Sequence, residues 1–450
     1  MMNIRIFQNS ITVVVIFFFI QLQGSVLKAA ELTLDECLKT GLVSSPDIKA
    51  ASSRLEAAKA GVKSAESAYY PWVTVSSMLA RTDNPPQAFM MSLNQRMLNM
   101  ADPTFDPNNP KDTDNLRASI GLQYRLIDGG RRSLDRGMAN LGALAVGEGL
   151  EVVRNELLHM ITKAYYGSVK AKTFINVQEE SVKSVEESLR VARERQKAGA
   201  ALETDVLNLE VQLSQAKEDL VRARNGFLMA VAALNAAVGK DVATAENILI
   251  SHAGLPEAAC VTIPASAAEN RAEFKAMKIA AEMRGKALDK AKKEYFPTVN
   301  VFASSDWDSD VSSDFEQSYM AGVMVELNIF DGFRSRNAVG EAKAQAQAAA
   351  ADQEKVLNNL KLDVVQACLE MKEARERVEV TGKGAVSAEQ ALKVTRDRYQ
   401  NGATGVAELI TAQTGLTAMK ARDTAARFDY LIALSNLERA EGKLASKYEK

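Results

Sequence analysis

The residues able to do covalent or metal chemistry are few and far apart. His159 and His252 stand alone, and no cluster of His, Cys, Asp and Glu has metal-ligand spacing. There is no nucleophile with an adjacent base, no paired carboxylates in a compact setting and no phosphate-binding loop, so neither an enzyme nor a resident cofactor is expected. Cys37, Cys260 and Cys368 form no CxxC pair; Cys37 with Cys260 is the pairing to test in an oxidising compartment, with inert buried thiols the expected state. Met90, Met91, Met97 and Met100 offer thioethers to a soft metal, but their spacing suits a short amphipathic helix packed on its own loop, which is the reading adopted. What remains is charge set out at a period of two. Arg117 and Arg125 alternate with apolar residues between Leu116 and Leu126, and Glu326 does so between Tyr319 and Ile329. That pattern puts charge on one strand face, toward a lumen or barrel rim, and apolar groups on the other, toward lipid.

Strands must position those charges. One apolar face reads Leu116, Ala118, Ile120, Leu122, Tyr124, Leu126, and the other Tyr319, Ala321, Val323, Val325, Leu327, Ile329. Weaker strands follow Pro71 and Pro297, each of about 10 residues, the length that crosses a bilayer at a tilt. Four strands cannot close a barrel with a lumen, since the smallest membrane barrels use about 8, so the edges must pair between chains. Polar loops join the strands, long from Arg81 to Asn115 and shorter from Asp306 to Ser318. Asp128-Gly129 and Asp331-Gly332 then turn the chain into helical patterns that reach Gly199 and Gly402, about 70 residues or roughly 105 Å if straight. Gly142, Gly147 and Gly149 are candidate bends in the first.

The chain repeats itself. The stretch Arg195 to Gly239 returns as Arg398 to Gly442, each with a helix-ending Gly, a short turn and apolar residues alternately three and four apart. The first seam is Val206, Leu209, Leu213, Ala216, Leu220, Ala223, Phe227, Ala230, Leu234; in the second only Asp423 breaks the match. Thr33 to Glu36 and Ser266 to Glu269 are capping boxes that open shorter helices, ending near Pro71 and Pro297. A return helix and a shorter helix laid end to end have the reach of one long helix, which gives a tube wall. Boundaries follow: residues 1–30 have the layout of a secretory signal peptide, 31–239 are the first repeat, 240–265 a linker with Pro256 and Pro264, and 266–450 the second repeat. A net charge of −2 gives no indication of nucleic acid as a partner.

In LTLDECL, SSPDIKAASSRLEAAKAGVKSAESAYYPWVTVSS, YRLIDGGRR, NIFDGFRSR and the two tip motifs, the chain resembles the TolC-like outer membrane efflux proteins over essentially its whole mature length. The resemblance implies a mainly α fold with a membrane β-barrel portion: tandem-repeat coiled-coil helices and four strands per chain, forming a homotrimer with a shared barrel of twelve strands and an α-helical tunnel across the periplasm. It implies a channel of a tripartite efflux or type I secretion system in the outer membrane of a Gram-negative bacterium. Outer membrane lipid, a periplasmic adaptor and an inner-membrane pump are then its partners. A periplasmic coiled-coil adaptor or structural protein is the alternative. The family's tip gate links a Tyr before the second tip Gly to a carboxylate after the first; the matching residues are Tyr399 and Asp205, with Thr204 beside the latter. Of the acidic rings that narrow the pore in the protein that names the group, Glu408 matches the first, while Thr411 occupies the second position and Thr404 replaces a tip Arg.

Overall fold

The computed structural model describes residues 32–103, 106–244, 255–256, 268–312 and 314–448; residues 1–30 and His252 lie outside these. Local rules set the ends of the elements. Helix α1 (Leu34–Ser44) opens on a complete capping box, in which the Thr33 amide donates to Glu36 Oε2 at 3.0 Å and the Glu36 amide to Thr33 Oγ1 at 3.3 Å. Pro46 starts α2 (Pro46–Glu66), and a single 3-10 turn leads to strand β1 (Trp72–Thr82). There follow α3 (Pro85–Asn94), β2 (Thr113–Ile127), α4 (Arg131–Lys197) and α5 (Glu203–Val238). The second half gives α6 (Ala272–Lys292), β3 (Thr298–Ser309), β4 (Glu316–Glu326), α7 (Arg334–Gln400), α8 (Val406–Ala440) and the short α9 (Leu444–Tyr448). Helix α6 starts from Arg271 without a side-chain cap bond; the box read at Ser266 begins outside the described residues.

Helices α4 and α7 are each 67 residues long, and the glycines of α4 do not interrupt it. Both start from the aspartate of an Asp-Gly turn. Asp128 accepts the amides of Gly130 at 3.0 Å and Arg132 at 2.8 Å, and Asp331 accepts the Ser335 amide at 2.9 Å and its hydroxyl at 2.5 Å. Burial pushes the Asp128 carboxyl up, but the amides of Arg132 and Gly130 and the Arg132 and Arg125 charges outweigh it and hold the group below its ordinary value. Asp331 is held low chiefly by the Ser335 hydroxyl.

The described residues divide into two units. One, drawn from Ala50–Val153 and Ala265–Leu362, contains the sheet, which is antiparallel throughout in the order β1-β2-β3-β4. The pattern read from Leu116 needs one adjustment. A bulge between Arg125 and Ile127 drops Leu126 out of register, so Ile127 and not Leu126 pairs with Val299. β4 also stops at Glu326, so Leu327 and Ile329 lie beyond the sheet. The Met-containing segment is helical at α3, as its spacing suggests, but α3 packs on strand β2 and not only on its own loop.

The other unit holds the long-helix packing, in three apolar clusters. The seam residues Val206, Leu209, Ala216 and Leu234 are buried along α5, at the alternating spacing that packs one helix on another. Asp423, the seam's one mismatch, accepts hydrogen bonds from Arg427 at 2.9 Å and Thr381 at 3.4 Å, so no bare charge is left in the seam. His159 packs beside the Ser435 hydroxyl at 3.2 Å, and burial with the nearby Arg439 charge lowers its proton affinity, as suits a neutral packing residue. Of the cysteines, Cys37 is the expected buried thiol, in an apolar cluster, so it does not pair with Cys260; the expectation is corrected at Cys368, which is a disulfide cysteine, and Cys260 lies outside the described residues. Helix packing rather than thiol chemistry places Cys37, among Leu38, Leu158 and Ile161.

Candidate functional site

Two places gather the residues singled out by the sequence. On the sheet, the register puts Arg117 opposite Asp308, Asp308 opposite Glu316, Arg125 opposite Asn300 and Thr298 opposite Glu326. Arg117, Arg125 and Glu326 therefore share one face, because residues paired across strands point the same way. Arg125 and Glu326 are exposed, whereas Arg117 donates from Nε to Asp308 Oδ1 at 2.8 Å. The face also carries Asn115, Ser119, Ser304 and Asp306, with the Ser119 hydroxyl donating to Asp306 at 2.5 Å. The opposite face presents Val73, Val75, Leu79, Leu116, Ile120, Leu122, Val301, Tyr319, Val323 and Val325. Val75 is 77% and Tyr319 85% exposed, so the single chain leaves an apolar band uncovered. Among the described residues no helix is long and apolar enough to cross a membrane.

The second place is the tip, where α4 turns into α5 and α7 into α8. Gly199 and Gly402 have φ of 73° and 75°, the left-handed conformation that ends a helix. The closures match. Ala200 donates to the Arg195 carbonyl and Ala403 to the Arg398 carbonyl, both at 2.8 Å. Beneath them Leu189, Ala192, Val206, Leu209, Leu392, Tyr399, Val406 and Leu409, two from each of the four helices, form one buried cluster.

The polar residues of the tip are arranged differently from the expected gate link. Asp205 occupies the third position of α5, and its Oδ2 accepts the Leu202 amide at 3.3 Å, so it caps its own helix. Tyr399 is 3% exposed and its hydroxyl has no hydrogen-bond partner, so within one chain the Tyr399 to Asp205 link is not made. The physical reason is that the Asp205 carboxylate is taken by the nearer Leu202 amide, while a cation covers the Tyr399 ring. The Arg195 guanidinium lies over it, 4.9 Å from the centroid, while Arg195 Nη2 donates to the Ala200 carbonyl at 3.1 Å. Burial, with the Asp205 charge added, raises the Tyr399 phenol above its ordinary value. Glu408 stands at the third position of α8, is exposed and accepts the Thr404 hydroxyl. Thr204 is exposed in the first turn of α5, and Thr411, also exposed, donates to the Ala407 carbonyl at 2.9 Å.

Residues 38–240 and 263–443 match the sequence profile of the outer membrane efflux proteins. The chain belongs to that family. It is 24% identical over 405 residues to protein CyaE of Bordetella pertussis, covering 87% of this chain and 80% of CyaE. It is also 24% identical over 450 residues to the outer membrane efflux protein BepC of Brucella suis, covering 94% and 89%. The fold is similar to that of the Campylobacter jejuni CmeC outer membrane channel, with a TM-score of 0.78 at 16% identity over 91% of this chain and 85% of that one. This outer membrane efflux protein is thus a transport channel and not an enzyme, lodged in the outer membrane of a Gram-negative cell and extending into the periplasm.

Four participants escaped sequence reasoning. Arg195 opens the first repeated stretch, but nothing local says that it reaches across to Tyr399. Asp306 and Asp308 carry a visible signal, since with Ser304 they alternate with Ser305 and Trp307 as Arg117 and Arg125 do in β2. Gln413 is 3% exposed on α8, donating to Ser188 Oγ at 2.6 Å, where the repeat register places Glu210 in α5.

Proposed function

We propose that this efflux protein is a homotrimeric exit duct: three copies of the four-stranded sheet join edge to edge into one barrel of twelve strands, and their helices form a tunnel. The observation that carries this is the sheet itself. It has two open edges, β1 and β4, an apolar face with nothing over it and a charged face bearing Arg117, Arg125 and Glu326. Unpaired backbone along β1 and β4 cannot be left in lipid, and ring closure with like copies satisfies both edges at once. The apolar face then meets lipid and the charged face lines the lumen, since a cation at mid-bilayer depth costs about 2 to 4 kcal/mol on a lipid face.

The repeat makes the two halves of the chain near-equivalent parts of the wall, giving pseudo-sixfold symmetry, with residues 1–30 removed as a signal peptide and 240–265 linking the repeats. The tip is the gate, and an adaptor and an inner-membrane pump engage the helical end. Small molecules or polypeptides pass as cargo, and the pump supplies energy and selectivity. Support for the tip as gate comes from its construction, since a cluster drawn from all four helices opens only by moving whole helices. Three copies of exposed Glu408 place a ring of carboxylates there, attractive to cations.

Cysteine labelling in intact outer membranes tests the face assignment. A thiol at Gln123 reacts with membrane-impermeant aqueous reagents and one at Ile120 does not; the opposite pattern reverses the assignment.

A further inference from the structure

We propose that α3 and the turn after it form a cap, latched across the outward end of the charged strand face, that restricts exit from the duct. This rests on reading that face as the lumen wall. The sheet meets the helices at one end, so the β1 to β2 and β3 to β4 connections lie at the other, which is the outward end if the helices extend into the periplasm. There the polar face is covered. Asn115 and Asp308 are each 1% exposed and Gln95 5%, in a sheet whose edge strands β1 and β4 are largely open to solvent and whose inner strands β2 and β3 are mostly half-buried.

The cover is built by bonds to that face. Gln95 Nε2 donates to the Asp114 carbonyl at 2.6 Å and to Asn115 Oδ1 at 2.9 Å; Asn115 Nδ2 passes the chain on to Asp308 Oδ1 at 2.7 Å, the oxygen that also takes Arg117. Arg96 pairs with Glu316 at 3.1 Å and donates to the Gln317 carbonyl at 3.2 Å. Asn115, Arg117, Asp308 and Glu316 all belong to the charged face, so the segment lies across it. Arg96 is itself in the left-handed region, φ 53°, a conformation that a non-glycine residue keeps where surrounding contacts hold it. Ala88 of α3 is 1% exposed, while Met90 and Met100 stay exposed on the segment.

The latch is poised to open. Asp308 Oδ2 is buried without a hydrogen-bond partner, so lifting the cap returns a stranded carboxylate oxygen to water and offsets part of the free energy of breaking the latch. Three caps on three inward faces would bring thioether-bearing helices into one exit.

The test uses full-length trimers carrying Arg96→Cys with Glu316→Cys, measured in planar bilayers before and after reaction with a short bis-maleimide, a span suited to an Arg–Glu contact and too long for a direct disulfide. To keep the tip from limiting current, the pair is introduced beside Arg195→Ala, and the Arg195→Ala parent receives the same treatment. Unlinked trimers are expected to conduct more than the parent, and linked trimers several-fold less than unlinked ones. Equal conductance in linked and unlinked trimers, with the parent conducting, overturns the cap and leaves the duct standing. A parent that passes no current overturns the duct and the cap together.

Discussion

The tip geometry makes opposite demands of two neighbouring substitutions. Arg195→Ala removes a guanidinium that lies over the Tyr399 ring and donates to the Ala200 carbonyl. With Tyr399 3% exposed, the cation–π contact is worth about 1 to 2 kcal/mol and the hydrogen bond about 1. Taking the low end, the closed tip loses about 2 kcal/mol per chain, roughly a thirtyfold shift toward open. Tyr399→Leu loses the ring and should behave like Arg195→Ala. Tyr399→Phe keeps the ring and deletes only a buried hydroxyl without a partner, so it is neutral or strengthens the closed state by about 1 kcal/mol. Single-channel recording of folded trimers reads all three as open probability: raised for Arg195→Ala and Tyr399→Leu, unchanged or lowered for Tyr399→Phe. If Tyr399→Phe opens the channel as far as Arg195→Ala does, the hydroxyl holds the gate through a carboxylate and the reasoning from Arg195 fails.

Glu408→Gln is expected to relieve divalent-cation block without changing trimer stability. Because Thr411 supplies no second acidic ring, the block to be relieved is moderate; unchanged block would leave Glu408 as a helix-start residue only. Asp128 and Asp331 are both held below the ordinary carboxylate value in the folded chain. Their contribution is therefore fully present above the unfolded value of about 4 and is lost as pH falls through the folded value. Thermal melts in detergent should show a destabilisation below about pH 4 that is smaller in Asp128→Asn, already weaker at neutral pH, where of the two only Asp331 still titrates; an identical acid profile in both proteins would contradict it.

Features with a local cause were legible in the sequence. The Thr33 capping box, the Asp-Gly starts of α4 and α7 and the glycine stops at Gly199 and Gly402 each involve residues a few positions apart, where one backbone requirement selects one residue type. Strand faces were legible for the same reason, since a period of two survives whatever the strand pairs with, though the bulge near Leu126 and the early end of β4 were not. The site's contacts are of another kind. Asn115 meets Asp308 across 193 residues of sequence, and Arg195 covers Tyr399 from a different helix. Asp205 shows the same limit from the other side: its spacing allows both a helix cap and a bridge to Tyr399, and only the fold reveals that the nearer amide takes the carboxylate.

Closure of one duct by three chains is tested most directly by the native mass of the detergent-extracted protein, taken together with its conductance. A mass of three mature chains that accompanies channel activity is the predicted result. A stable monomer that conducts as well as the material in the membrane would contradict it.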